Sequence, residues 1–375
     1  ETFLAAYNPK LRKSRGVWYT PEPVVNFIVR AVDDILKTEF GLPQGLADTS
    51  KTTIEVDTHI EDRRSKTGYT REKQDAHKVQ ILDPAAGTGT FLAEVVKHIH
   101  KKFVGQQGIW SSYVEQHLIP RLHGFEILMA SYAMAHLKLE LLVEETGYAP
   151  ENKQRLRVFL TNSLEEAHPD TRTFWATWLS KEAIEANSIK RDTPVMVVIG
   201  NPPYSVSSSN ASIGSDGQKT WIGKLIHDYK KELNEKKLNL DDDYIKFIRY
   251  GEYFIEKNGE GILAYISNNS FIDGLTHRKM RKHLLETFDK LYIIDLHGNS
   301  KRKEITPNGK PDQNVFDIMQ GVSINIFVKN GQKSIKSLGV MYHYDLYGNR
   351  NSKYETLVTK KFSEISWNKL ENREP

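Results

Sequence analysis

Along most of the chain, short apolar runs give way to stretches in which apolar residues recur three or four apart, the pattern of strand followed by helix. Val79–Asp83 predicts a buried strand, and Phe91 to Phe103 a helix that opens directly after a glycine turn. Leu122–Glu126 predicts a second strand, Met129 to Val143 a second helix, and Leu156–Leu160 a third strand. Val195-Met196-Val197-Val198-Ile199 is the most β-branched segment and should lie centrally. A helix over Tyr244 to Lys257 follows, then a strand over Gly261 to Ile266 and a helix over His277 to Thr287. Further strands fall at Leu291 to Leu296 and Ser323 to Val328. Such alternation implies an α/β fold: a doubly wound, mainly parallel sheet with helices on both faces.

Ahead of this core, Val24, Val25, Phe27, Ile28, Ala31, Val32, Ile35 and Leu36 fall at helical spacing behind Thr20-Pro21-Glu22-Pro23. Thr20 is expected as the N-cap and Pro21 at the first helical position. The polar stretch Asp57 to Lys78 and the Ser-, Asn- and Gly-rich stretch Ser205 to Lys219 read as loops, the second a candidate mobile flap. At 375 residues the chain can form two domains or one large one with insertions. Glu1-Thr2-Phe3-Leu4 lack the basic-then-apolar layout of a signal peptide, no run reaches bilayer length, and with zero cysteines the sequence lacks disulfides, thiolate nucleophiles and Cys-ligated metal. A cytoplasmic location is the resulting expectation. Its first and last residues suggest a piece of something longer. Charge is uneven: residues 297 to 375 hold 13 Lys/Arg against 8 Asp/Glu, a basic excess that suits phosphates.

Four places carry candidate chemistry. Asp83-Pro84-Ala85-Ala86-Gly87-Thr88-Gly89-Thr90-Phe91 joins the first core strand to its helix, and its glycines permit close ligand approach. It lacks the Lys-Ser/Thr of a phosphate-gripping loop, and Gly217-Gln218-Lys219-Thr220 lacks the preceding strand and glycine spacing. Glu126 ends the second strand, where a carboxylate can accept two ribose hydroxyls, and Asn162 follows the third, placed for an adenine edge. Asn201-Pro202-Pro203-Tyr204 follows the most hydrophobic strand, and two prolines end the ladder and stiffen the corner. That geometry suits methylation of an amide or exocyclic nitrogen. The Asn201 side-chain oxygen and the Pro202 carbonyl would accept its two N–H bonds, and Tyr204 would stack on the planar group. No His-Glu-x-x-His or comparable metal motif occurs; His98 and His100 are two apart on a predicted helix, cannot share a face and are expected at the surface. Asp228 with Glu235-Lys236-Lys237 only faintly suggests a nuclease pattern, and Lys301-Arg302-Lys303 fits backbone phosphates or plain solvent.

Taken together, Gly16-Val17-Trp18-Tyr19-Thr20-Pro21, the loop from Asp83 to Phe91, Gly124-Phe125-Glu126, Asn162 and Asn201–Tyr204 resemble the ordered motifs of γ-class N6-adenine DNA methyltransferases. Ile266–Phe271, Asp295–Ser300 and Asn314–Asp317 leading into Gly321–Phe327 are similar to the methyltransferase region of large single-chain restriction–modification enzymes, type ISP and type IIG. The resemblance covers about residues 15 to 330. It implies a seven-stranded-type, Rossmann-like sheet and S-adenosylmethionine as cofactor, held by Tyr19, Thr20, Pro21, Asp83, Ala85, Gly87, Thr88, Gly89, Phe91, Glu126 and Asn162. Asn201, Pro202, Pro203 and Tyr204 would be catalytic, with Tyr204 and Phe316 sandwiching a flipped adenine of double-stranded DNA. Ala86 stands where many relatives have Cys, and Asn162 where Asp is frequent, which makes that contact neutral. The implied domains are a preceding linker (1–15), the methyltransferase domain (16–330) and the start of a connection to a target recognition domain (331–375). Nuclease, motor and target-recognition segments of the same polypeptide would be partners. The same corner also fits a protein glutamine N5-methyltransferase or an RNA base methyltransferase, and a non-catalytic cofactor- and DNA-binding module is the reading of a different class.

Overall fold

The computed structural model describes residues 19–61, 64, 69–149, 154–166, 177–204, 208, 210–233, 240–334 and 337–371. Gly16, Val17 and Trp18, the expected linker 1–15, Glu235-Lys236-Lys237 and part of the expected flap lie outside them.

Helix α1 (Glu22–Glu39) buries the apolar stripe read from the sequence. Its cap differs from expectation: Pro21 is the N-cap residue, and no side chain caps the helix. Thr20 is buried and its hydroxyl is used elsewhere, as described below. The expected loop over 57–78 is instead mostly a long antiparallel ribbon, β1 (Lys51–Glu61) with β2 (Tyr69–His77), a two-stranded sheet of its own.

The core begins with β3 (Gln80–Asp83) and α2 (Thr90–Lys101), followed by α3 (Gln107–Tyr113), β4 (Leu122–Glu126), α4 (Met129–Glu145), β5 (Arg157–Leu160) and α5 (Thr177–Asp192). Then come β6 (Val195–Gly200), α6 (Trp221–Lys230), α7 (Asp243–Asn258), β7 (Gly261–Asn268), the single turn α8 (Ser270–Asp273), α9 (Arg278–Thr287), β8 (Lys290–Asp295) and β9 (Val322–Lys329). Beyond residue 330 the chain adds β10 (Val340–Asp345), α10 (Arg350–Thr359) and β11 (Asn368–Leu370).

The sheet holds nine strands in the order β11-β10-β8-β9-β7-β6-β3-β4-β5, where seven were expected. Strands β5, β4, β3, β6 and β7 are mutually parallel; β9 runs antiparallel between β7 and β8. The two additional strands extend the β8 edge, β10 parallel to β8 and β11 antiparallel to β10. An interdomain connection read at 330 therefore meets a sheet that continues to Leu370. Every residue of β3, β4, β6 and β7 is buried, so both faces of the sheet are covered, as a parallel sheet requires.

This topology makes a crevice. From β3 the chain moves outward through β4 to β5, then returns to β6 on the other side of β3 and moves outward again. The order thus reverses between β3 and β6, the place where α/β sheets bind ligands at the carboxyl ends of their strands. Asp83, Glu126, Leu160 and Gly200 end four neighbouring parallel strands on that edge. Because β9 is antiparallel and Val322 pairs with Asn268, the segment leading into β9, including Phe316, arrives at the same edge.

Candidate active site

The glycine loop is a tight strand-to-helix turn. Gly87 and Gly89 have φ of 55° and 75°, a left-handed conformation that a side chain would strain. Gly89 is the N-cap of α2 and sits where an added Cβ would be 3.4 Å from the Ala135 and Leu139 side chains of α4. Ala86 is buried and faces Gly124 of β4; a Cβ on that glycine would lie 2.8 Å from Leu92 and 3.2 Å from Ala86. Ala85 donates its N–H to Asp83 at 3.1 Å, and Phe91 is buried beneath the turn.

Two carboxylates close the floor. Asp83 is 1% exposed, and burial, together with the charge of Glu126, pushes its carboxyl up to about 8 against the Ala85 hydrogen bond. Glu126 accepts from Gly87 N at 2.8 Å, Leu128 N at 2.7 Å and Ile127 N at 2.9 Å. Burial still raises it above the ordinary carboxylate range. Glu126 thus ties the glycine loop to the end of β4.

Asn162 lies two residues past β5. Its Oδ1 accepts from Leu164 N at 3.1 Å, and its Nδ2 donates to Glu165 at 3.0 Å and to Asn210 at 2.9 Å. Lys190 of α5 holds the same turn, donating to the Asn162 backbone carbonyl at 2.7 Å and to the Thr161 hydroxyl at 3.2 Å. Burial lowers the Lys190 ammonium to about 8, against the charge of Glu165. Neither Lys190 nor Asn210 was legible as a site residue; both come from distant segments. The described part of the expected flap is anchored: Lys246 donates to Ser208 Oγ at 3.0 Å, and Asn210 Nδ2 donates to Asp243 at 3.4 Å.

The proline corner follows β6 directly. Asn201 Nδ2 donates to Thr20 Oγ1 at 2.9 Å, which fixes the plane of the carboxamide and brings the start of α1 onto the corner. Pro202 and Tyr204 are buried; the Tyr204 hydroxyl donates to Ile266 O at 3.4 Å, and burial holds it well above the usual phenol range. Tyr19 stands at the rim, 48% exposed. Phe316 is buried, and its ring meets Tyr204 edge to face, centroids 6.2 Å apart at 81°. A planar group can lie between two rings only if the rings face each other, so these two, meeting edge to face, are neighbours here without flanking a slot.

One crevice thus gathers Thr20, Pro21, the Asp83–Phe91 loop, Glu126, Asn162, Asn201–Tyr204 and Phe316. The histidines expected at the surface lie away from the crevice and are half-buried: His98 pairs with buried Asp33 at 3.1 Å and His100 packs on Trp110 at 4.8 Å. Among the described residues, two groups bring three possible metal ligands together, Glu252/Glu256/His283 and Asp295/His343/Asp345, and both are engaged in ion pairs. No helix among these residues is long and apolar enough to cross a membrane.

An α/β fold with a mixed sheet, carrying a buried carboxylate, a glycine turn and a proline-locked asparagine at its switch point, defines the class structurally. Residues 121–301, which span β4 to β8 and include the corner, match the Eco57I restriction-modification methylase family. The type II methyltransferase M.BstVI of Geobacillus stearothermophilus is 24% identical over 235 residues, 62% of this chain and 36% of that protein. Two solved structures share the fold over nearly the whole chain. The ATP-dependent type ISP restriction-modification enzyme LlaBIII bound to DNA has 26% identity and a TM-score of 0.74 over 96% of this chain and 22% of its own. The DrdV–DNA complex has 25% identity and a TM-score of 0.72 over 98% and 32%. The chain spans about a third or less of the length of these relatives.

Proposed function

We propose that this chain is the modification part of a restriction–modification enzyme and transfers a methyl group to N6 of an adenine turned out of double-stranded DNA. The observation that carries the reading is the Asn201–Thr20 hydrogen bond, which joins the proline corner to the Thr20-Pro21 segment across the crevice from the glycine loop. The residues fit S-adenosylmethionine: a buried carboxylate at Asp83 suits a cationic ligand end, Glu126 suits ribose hydroxyls, Asn162 a neutral adenine contact, and the positive-φ glycines leave backbone open to approach. That cofactor would supply an electrophilic methyl on a sulfonium whose leaving group is neutral.

The remaining work belongs to the chain. The adenine amino group is a poor nucleophile because its lone pair is delocalised into the ring. Asn201 Oδ1 and the Pro202 carbonyl would accept its two N–H bonds and hold the nitrogen pyramidal, and Pro202 and Pro203 keep both acceptors rigid. Tyr204 and Phe316 would grip the base faces once the Phe316 ring turns from its edge-on position. Rate enhancement then comes from positioning and hydrogen bonding. The Rossmann-like S-adenosylmethionine fold, the limits 16–330 for the catalytic domain, and the nuclease, motor and recognition segments of a longer polypeptide are parts of the same proposal. Radiolabelled methyl transfer to mixed-sequence duplex DNA, lost in Asn201→Ala, tests it; transfer to a protein glutamine or to RNA with none to DNA overturns it.

A further inference from the structure

Four consecutive backbone carbonyls ahead of β9 are each held by a side chain of α10. Lys353 Nζ donates to Gln313 O at 2.6 Å, Arg350 Nε to Asn314 O at 2.8 Å, the Tyr354 hydroxyl to Val315 O at 2.6 Å, and Arg350 Nη2 to Phe316 O at 2.8 Å. The three donors stand three and four residues apart, on one face of the helix. Arg350 also pairs with Asp317 at 2.7 Å. Lys353, fully buried, pairs with Asp312 at 2.7 Å and donates to Leu296 O at 2.6 Å. A loop is ordinarily satisfied by its own turns or by water; here a helix beginning some 30 residues later supplies every donor.

The other end of α10 is held as well. Arg30 of α1 donates to Lys360 O at 3.0 Å and Val358 O at 3.3 Å, and also to Leu357 O, satisfying last-turn carbonyls. Helix α1 starts at Glu22, with Pro21 as its N-cap next to the Thr20 whose hydroxyl holds Asn201. The backbone of Phe316 and the carboxamide of Asn201 are therefore both tied to one frame made of α1 and α10. A cleft of about 820 Å³, lined by Gly298, Gln313, Phe316, Ile318 and Asn349 among others, adjoins Phe316 on this side.

We propose that Arg350, Lys353 and Tyr354 act as a latch that fixes the backbone of residues 313–316, making them positioning residues that let the Phe316 ring swing beside Tyr204 while its main chain stays in place. This rests on the function proposed above. Holding the carbonyls but not the ring allows capture of an extrahelical base without remaking the loop, so the ordering cost is met on folding and not on each turnover.

The test uses the full chain, a duplex with 2-aminopurine opposite an abasic position, and mixed-sequence DNA for methyl transfer. Arg350→Ala and Tyr354→Phe should lower kcat/KM for DNA by about tenfold or more and reduce the 2-aminopurine fluorescence gain. S-adenosylmethionine affinity should not change, and added guanidinium should partly restore Arg350→Ala. Tyr354→Phe removes a single hydroxyl and keeps the test open if Arg350→Ala fails to fold. Wild-type kcat/KM and fluorescence in a folded variant overturn the latch and leave the proposed function standing. If the parent chain transfers no methyl to DNA, that function fails instead. The latch is then read from amide hydrogen exchange over residues 314–318, which should quicken in both variants; unchanged protection refutes it.

Discussion

A Cβ placed on Gly200 would lie 2.8 Å from Oδ1 of Asp83, so the last residue of β6 and the last residue of β3 touch across the switch point with no room for a methyl group. Asp83 has little freedom to yield, since it is buried and bound to Ala85 N. Gly200→Ala should therefore displace the carboxylate and weaken S-adenosylmethionine binding, with a stability loss of about 1–3 kcal/mol. Isothermal titration and urea unfolding of the same preparation check it; parent-like affinity would show that Asp83 does not hold the ligand.

Thr20 supplies the acceptor that orients the Asn201 carboxamide. Thr20→Val keeps the shape and removes the hydroxyl, leaving a buried N–H donor without that acceptor. The cost is about 1–3 kcal/mol, expected as a fall in kcat of about 5- to 150-fold by the same figure. Thr20→Ser should recover most of it. Equal kcat in the Val and Ser variants would mean that the hydrogen bond does not align the corner.

Asp83 gives a pH signature. With its carboxyl pushed up to about 8 by burial and the neighbouring Glu126, it is largely protonated at neutral pH in the free protein. A cationic ligand end favours the carboxylate, so binding should release a proton: close to one per site near neutrality, falling away above the raised value. Titration heats measured near pH 7 in two buffers of different ionisation enthalpy should differ accordingly. Asp83→Asn should abolish both the difference and most of the affinity. Identical heats in both buffers for the parent would contradict the assignment.

Most of the core was legible because its strands are buried on both faces and punctuated by Gly and Pro; β4 falls at 122–126 as read, and α7 and α9 begin within a residue of expectation. The ribbon of β1 and β2 escaped because, although Ile54, Val56 and Ile60 alternate in β1, the described side chains are mostly exposed and β2 carries Arg71, Glu72, Lys73 and Asp75 with no apolar alternation to match. Strand β10, half-exposed and second from the sheet edge, gave an equally weak signal. Thr20 has the chemistry of an N-cap, and only the fold shows that its hydroxyl is taken by a residue 181 positions away. The α10 latch was invisible for the same reason. Its donors are ordinary surface-type residues, and only pairing through β8 and β10 brings them to residues 313–316.

Away from the crevice, Glu252 is completely buried at the meeting of α6, α7 and α9. It accepts from the Tyr229 hydroxyl at 2.6 Å, pairs with His283 at 2.9 Å, and lies 3.5 Å from Arg249, which also bridges Glu256 and Asp228. Burial alone would lower the His283 pKa, but the hydrogen bond and charge of Glu252 outweigh it and the net shift is upward. A group whose folded pKa exceeds its unfolded value of about 6.5 contributes stability in full below that value and loses it as pH rises through the folded one. Unfolding free energy should thus decline from pH 6 upward, and His283→Gln, which keeps a donor without the charge, should flatten the decline. Asp83, with its raised carboxyl, adds a slope of the same sign below pH 8, so the informative quantity is the difference between parent and His283→Gln in urea unfolding at several pH values. Glu252→Gln should cost more, about 3–5 kcal/mol, because it strands Arg249 and His283 in the interior. If His283→Gln follows the parent at every pH, the imidazolium does not stabilise this helix junction.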